Sequence, residues 1–519
     1  MDMVIILSLW KKNKNDAKSK TITPGKQSGA DSISSTLSKN IDLFRNIFRD
    51  DDTFIVRHVE NQHNKSIKCC VLFMEEMIDT TIVNENILRP IMQDSTLKNN
   101  NDTLVQFQNR VITSDNIKRS SDVNLLTNSI LKGDTVLLLE DCYEALIISS
   151  IGVKSRAIQE PEAEKLIRGP REGFTEPLMI NLSLLRKRLE TPDLKFKFLT
   201  LGTKTNTKIC ICYLDSLVNR KILNEVETRL RSIKIDGILA SGYIGELIND
   251  EPYSPFKTVG STERPDVVVG KLLEGRIAIV VDGTPVALTV PYVFIEYFQI
   301  NEDYYINYYF SSISRILRIL GFILTVSVPA IYVALMTFQQ EMIPTPLLIS
   351  ISSSRQGVPF PTIVETMLLL IVFEILRETG TRMPTNIGQA LSIVGALVLG
   401  QASVQAKIVS APVVIVVAIS GITSLMIPKI QGAAIVLRVI FLLLSAFLGF
   451  YGLIFGITGT LLHLCEMRSF GVPYLLYLTS MNPYDLKDTI IRAPLWKMKK
   501  RPKLISTDNM MRQVIGRKK

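Results

Sequence analysis

Glu374, Arg377, Glu378 and Arg382 crowd four charges into one short stretch between apolar segments, and Glu365 adds a fifth shortly before them. Beside or inside a bilayer such groups must pair, snorkel or face water, since a lone charge there is costly. On a helix Glu374 reaches Arg377 at i+3. At ~100° per residue Glu365 and Glu374 point to opposite sides, so either the segment is broken or one carboxylate faces protein. The chemistry these groups suit is that of a pore or gate, where fixed charges meet a passing ion.

Bond-making chemistry finds no comparable set. The chain has no GxxxxGK[ST] phosphate loop, no GxGxxG after a strand, no HExxH and no GxSxG. The histidines His58, His63 and His463 are scattered, the last inside an apolar run. Cys69/Cys70 and Cys210/Cys212 fall in β-like runs without a CxxC or histidine complement, which reads as buried thiols in a reducing compartment. The expectation is a non-enzymatic protein with no catalytic residue, no metal site and no cofactor.

The elements that must position the charges follow from a switch in polarity. Between Ile319 and Cys465 only 10 of 147 residues are Asp, Glu, Lys or Arg, against 21% for the whole chain. Crossing a bilayer takes about 20 apolar helical residues. Ile319–Phe338, Ile387–Ala406 and Ile408–Ile427 meet that length, and Ala433–Cys465 reads as one long tilted helix, which makes four clear spans. The charged stretch 361–378 is read as a partial segment. Two small-residue faces accompany them: Gly388, Ser392, Gly395, Ala402 and Ala406, and Ser445, Gly449, Gly452, Gly456 and Gly459. Such faces let helices approach closely in lipid, within one subunit, between subunits or around a pore.

Before the spans the chain repeats itself at an offset of 142 residues. Ile130-Leu-Lys-Gly133 with Thr135–Glu140 recurs as Leu272-Leu-Glu-Gly275 with Ile277–Asp282, Ala145-Leu146 falls on Ala287-Leu288, Ile67–Cys70 falls on Ile209–Cys212, and Phe54 falls on Phe196. Gly133 and Gly275 suit helix C-termini, where a left-handed residue is needed. The predicted fold class is an α/β soluble region of two similar subdomains followed by an all-α polytopic membrane domain. Its parts are a disordered polar N-terminus (1–44), subdomains at 45–152 and 178–310 with a connector at 153–177, a membrane region at 311–465 and a basic tail at 466–519. Thr262-Glu263-Arg264-Pro265-Asp266 has the look of a helix start, with proline in the first turn and acids toward the positive end of the dipole. Capping leaves Arg264 unexplained, so Glu263, Arg264 and Asp266 are candidates for a contact with another subdomain or subunit.

Net charge is +10, concentrated in the tail, where Glu466–Lys519 holds twelve Lys/Arg against four Asp/Glu. A basic tail directly after a span reads as a cytoplasmic flank facing anionic lipid before it reads as a nucleic-acid patch. Arg315 and Arg318 precede the first span and place the soluble region on the same side, which requires an even number of crossings.

Thr262–Asp266, then Leu273-Glu-Gly-Arg-Ile-Ala-Ile-Val-Val-Asp-Gly-Thr-Pro285, Pro359-Phe-Pro361 and Glu374–Pro384 together resemble the signature of the A subunits of spore germinant receptors, the GerA family. The resemblance covers about residues 45 to 495. It implies a subunit of a nutrient-sensing complex in the inner membrane of a bacterial spore, multi-pass, with a transporter-like B subunit and a lipoprotein C subunit as partners. It also implies homo-oligomerisation into a nutrient-gated cation channel. The alternatives are a monomeric solute transporter, which an inverted membrane repeat would favour, and a scaffold of a signalling complex.

Overall fold

The computed structural model describes residues 32–64, 67–95, 103–114, 116–152, 160–161, 163–382, 395, 398–475, 488–498 and 501. Helix α1 (Leu37–Ile47) comes first and begins within the stretch 1–44 expected to be disordered. Its amphipathic pattern explains why: Leu37, Ile41 and Phe44 at helical spacing are buried against the first sheet.

That sheet is antiparallel, with order β1-β2-β4-β5-β3, formed by β1 (Phe54–Glu60), β2 (Lys68–Met74), β3 (Ile117–Ser120), β4 (Thr135–Leu139) and β5 (Ala145–Ile148). Strands apolar on both faces need cover on both sides. Cys70, Leu72, Val136 and Leu138 pack under α1 and α2 (Val123–Lys132), while Cys69, Val71 and Leu137 pack against Ile87, Ile91 and Phe107 of the opposite helical layer. Helix α2 ends at Gly133, whose φ of +99° a Cβ would strain and whose Cβ would lie 2.7 Å from the Met77 carbonyl oxygen.

The second half repeats this plan. Helix α3 (Leu178–Arg188) precedes β6 (Leu194–Leu201) and β7 (Thr207–Leu214); α4 (Arg220–Ser232), β8 (Gly260–Thr262), α5 (Pro265–Leu272), β9 (Ile277–Val281) and β10 (Ala287–Val290) follow, with sheet order β6-β7-β9-β10-β8. The 142-residue offset holds from α2 onward: Ser120↔Ala145 becomes Thr262↔Ala287, and Gly275 repeats the positive φ of Gly133. In the first hairpin the offset is 140. Cys69 pairs with Leu139 and Ile209 with Val281, so Cys70 corresponds to Cys210 and Phe54 to Leu194, two residues away from the expected Phe196. A slip of two keeps each side chain on its own face, which is why the hydrophobic pattern agreed at either offset.

The two subdomains meet at a fully buried triad. Arg186 of α3 holds Asp51 at 2.6 Å and Glu76 at 3.1 Å and lies over the Phe196 ring. Burial pushes the Glu76 carboxyl above its usual range, with Arg186 opposing and Asp51 reinforcing the shift. Two carboxylates share one guanidinium, and Asp51 has the shorter bond.

The C-terminal region is helical: α6 (Tyr308–Thr337), α7 (Thr345–Ser354), α8 (Thr362–Arg382), α9 (Ala411–Leu425), α10 (Gln431–Leu448) and α11 (Phe450–Glu466). Among the described residues two helices, Tyr308–Thr337 and Pro428–Leu448, are long and apolar enough to cross a membrane, and Ala411–Leu425 and Phe450–Glu466 are apolar but shorter. Half of the expected Ile387–Ala406 span, 387–394 and 396–397, lies outside the described residues. The stretch 361–378, read as a partial segment, lies from Thr362 onward within an unbroken helix of 21 residues, α8, which is the second of the two alternatives left open for it. One expectation is corrected. The single tilted helix at Ala433–Cys465 is a hairpin, because Gly449 takes φ +60° and turns α11 back along α10, bringing Gly456 against Phe441. One apolar core runs from the second sheet through Phe294 and Phe298 into α6, α10 and α11.

Candidate functional site

Pro329 lies inside α6 and has no N–H to give, so the carbonyl of Thr325, four residues earlier, loses its helical donor. Ser420 of α9 replaces it, donating from Oγ to the Thr325 oxygen at 2.8 Å. The same Ser420 Oγ accepts from Arg438 of α10 at 3.2 Å, and Arg438 in turn pairs with Glu374 of α8. Arg377 closes the chain on Glu374 at 2.5 Å, the i,i+3 pair open to a helix. Four helices are therefore joined by one polar relay through an otherwise apolar bundle. A charge so placed is stable only while paired, and a rearrangement of one helix must break or hand over a partner.

Beside the relay lies a cavity of about 510 Å³ lined by Met367, Leu370, Glu374, Glu378, Ile435 and Arg438. Glu374 and Glu378 thus share one wall. The backbone of Arg382 ends α8, and its side chain lies outside the described residues. Glu365 is not part of this group. It is completely buried on the opposite side of α8, accepting from Arg355 at 3.1 Å and from the Ser410 backbone N–H at 3.0 Å. Glu365 and Glu374 thus meet protein partners from opposite sides of one unbroken helix.

The glycine face is divided by the break at Gly449. Gly449, Gly452 and Gly456 pack inside the chain: a Cβ would meet Gln339 at Gly449, the Leu444 carbonyl at Gly452 and Phe441 at Gly456. Gly459 has open space in front of it.

Thr262–Asp266 is a fastening point. Pro265 does occupy the first turn of α5, but the residue before it is Arg264, and Thr262 ends β8. Arg264 is buried and donates to the carbonyls of Pro170 at 2.6 Å and Glu164 at 3.3 Å, while Glu263 accepts from the Ala163 N–H. Asp266 pairs with Arg264 at 3.0 Å and accepts from Asn301 and Tyr305, which lead into α6. Its other oxygen is buried without a hydrogen-bond partner at the wall of a second cavity, about 520 Å³, that also presents Lys271, Glu274, Glu296 and Lys429. Charges of both signs around an open volume of that size suit a small polar molecule.

Arg315 and Arg318, at the root of α6, are paired inside the protein. Asp303 holds Arg315 at 2.8 Å and Arg318 at 2.5 Å, all three buried, and Asp488 of the tail takes Arg315 at 2.7 Å and the Tyr304 hydroxyl at 2.6 Å. Burial raises the Asp488 carboxyl above its usual range, opposed by Arg315 and Tyr304. Arg492 donates to the Ile306 carbonyl at 3.2 Å, so this part of the tail is bound to the root of α6 rather than directed at lipid. Sequence reasoning missed Asp303, Asp488 and Arg438. For Arg438 a signal existed: it is the sole charged residue between Lys429 and Glu466.

Comparison with known proteins places this geometry in context. Residues 42–504 match the family described as Bacillus/Clostridium GerA spore germination protein. The chain is similar to spore germination protein KA of Bacillus subtilis (strain 168), 41% identical over 93% of this chain and 89% of that one. It is also similar to spore germination protein GerLA of Bacillus cereus, 34% identical over 85% and 90%. The crystal structure of the N-terminal domain of the A subunit of the Bacillus megaterium spore germinant receptor GerK3 aligns at 32% identity and a TM-score of 0.41, covering 51% of this chain and 97% of that one.

Proposed function

Since the chain belongs to the GerA family of spore germination proteins, we propose that it is the A subunit of a nutrient germinant receptor and that its helical region assembles into a nutrient-gated cation channel. The observation that carries this reading is the relay Thr325–Ser420–Arg438–Glu374–Arg377, set beside a cavity walled by Glu374 and Glu378. Buried ionisable groups in an apolar bundle mark ion paths and gates, because packing alone is better served by apolar residues. The partners in this reading are a transporter-like B subunit, a lipoprotein C subunit and further copies of the chain.

The same reading sets the chain in the spore inner membrane. Apolar side chains stand exposed along the helices, among them Ile323 on α6, Ile422 on α9, Phe447 on α10 and Leu462 on α11, a belt that lipid would cover. Passes by α6, α8, 387–406, α9, α10 and α11 give an even number, which returns the tail to the side of the soluble region, the cytoplasm. At ~1.5 Å per residue the helices α9, α10 and α11 reach roughly 22–27 Å, a shortfall that local thinning of the bilayer takes up. Contact of the tail with anionic lipid is part of the proposal.

The test is nutrient-triggered ion release from spores carrying Glu374→Gln. Release slowed at least tenfold, at wild-type protein level and with nutrient binding retained, is the expected result. Normal release from such spores would reduce the relay to helix packing and refute its place in the gate.

A further inference from the structure

An apolar cavity of about 400 Å³ lies where α6, α10 and α11 meet the segment that leaves the second sheet. Its back wall is aromatic: Phe294, Phe298 and Phe322 contact one another with ring centres 5.5–6.2 Å apart. Val326, Phe441 and Leu464 close the floor and are buried. The mouth is different in kind, since Ile323, Leu461 and Ile490 are 50%, 54% and 42% exposed. Nothing on the wall calls for water. Of the two hydroxyl side chains there, Ser327 and Thr460, the second already donates to the Gly456 carbonyl at 2.9 Å. An apolar volume of this size excludes water, and leaving it empty forfeits packing on every side.

We propose that the cavity is a binding site for one acyl chain of a membrane phospholipid, entering sideways between α6 and α11 and ending against Phe294 and Phe298. The inference rests on the membrane reading above, because only there does the exposed belt containing Ile323 and Leu461 lie against lipid tails. Continuity of the mouth with that belt selects the occupant: a neighbouring acyl chain has no polar surface to cross. The site also has a consequence for coupling. The Phe298 carbonyl accepts from Arg318, which Asp303 holds, so an occupant presses on the segment that ties the sheet to the root of α6.

The experiment uses the full chain in vesicles of phosphatidylglycerol containing a phosphatidylcholine with a diazirine at the end of one acyl chain. After irradiation, label is expected to concentrate on Phe294, Phe298 and Phe322, at least fivefold above the belt residues Ile415 and Ile419. Ile323→Trp and Leu461→Trp, each plugging the mouth from an exposed position, should reduce the cavity label at least fivefold while the belt label persists. Belt label without cavity label, or cavity label indifferent to both plugs, overturns the site and leaves the membrane reading standing. Absence of label from belt and cavity alike overturns the membrane reading itself. Displacement of the cavity label by free palmitate but not by unlabelled phosphatidylcholine would replace the phospholipid with a free fatty acid and also overturns the proposal.

Discussion

Replacing Gly452 by alanine adds one methyl group where the α10–α11 hairpin has no room for it. The new Cβ would stand 2.1 Å from the Leu444 carbonyl oxygen, 2.5 Å from its carbon and 3.1 Å from the Leu448 Cβ. The obstacle at the closest point is backbone, so no rotamer change relieves it, and the two helices must part by about 1 Å. Forced overpacking of this kind costs about 1–3 kcal/mol, and a backbone obstacle puts the value near the upper end. Gly459 supplies the internal standard. It lies on the same helix, gains the same ~0.5–1 kcal/mol of helix propensity from alanine, and has nothing within 4 Å of its Cβ. Subtracting one variant from the other leaves the steric term alone, about 3 kcal/mol, or roughly 5–10 °C in thermal midpoint. The assay is thermal unfolding of the detergent-solubilised full chain, read by the loss of a monodisperse peak. Gly452→Ala melting within a degree of Gly459→Ala would refute the hairpin and restore a single helix through Gly449.

Three further outcomes follow from the buried charges. Burial raises the Glu76 carboxyl, so between its unfolded and folded values the native state holds a proton that the unfolded chain has lost, and stability falls as pH rises through that window. Glu76→Gln removes this dependence, so its stability relative to wild type should rise as pH rises through that window and be lowest towards pH 4.5 in chemical denaturation; a difference independent of pH would contradict it. Asp303→Asn leaves Arg315 with Asp488 and takes from Arg318 the carboxylate that holds it, a loss worth about 3–5 kcal/mol, and should accelerate hydrogen exchange at 299–307 at least 100-fold. Unchanged exchange there would show that the joint does not depend on the pairing. Arg438→Met and Glu374→Leu should each cost about 3–5 kcal/mol and the double variant much less, whereas additive costs in thermal unfolding would argue against a shared pair.

The sequence carried the fold where periodicity and glycine carried it. Both sheets, their helix C-terminal glycines and the later part of the repeat were open to reading because apolar runs and Gly133/Gly275 recur at one spacing. The offset of the first hairpin was not, since a shift by two residues preserves every inward side chain. Gly449 escaped for the opposite reason: a glycine in an apolar run is compatible with a packed helix and with a turn, and only the partner helix decides. The site was half legible. Glu374 and Arg377 stand close in sequence, but their partner Arg438 lies 64 positions from Glu374, and the partners of Arg315 include Asp488, 173 positions away. Local reasoning used Arg315 and Arg318 only to orient the chain, because a carboxylate 12 or 15 positions upstream, Asp303, is not a helix-spaced neighbour and Asp488 is farther still.

Glu164, in the strand of chain that links the two subdomains, takes hydrogen bonds from Thr262 Oγ1 and the Glu263 N–H and holds Lys429 at 3.1 Å. Lys429 sits just before the first turn of α10, and Arg438 is nine residues farther along that helix, about 13 Å by its rise. One carboxylate thus fastens two bodies: the end of β8 in the second sheet, through Thr262 and Glu263, and the foot of α10, through Lys429. The edge of the second sheet and the helix that carries the Glu374–Arg438 pair share a fixed point, so a displacement of either one at that edge would load the other through Glu164.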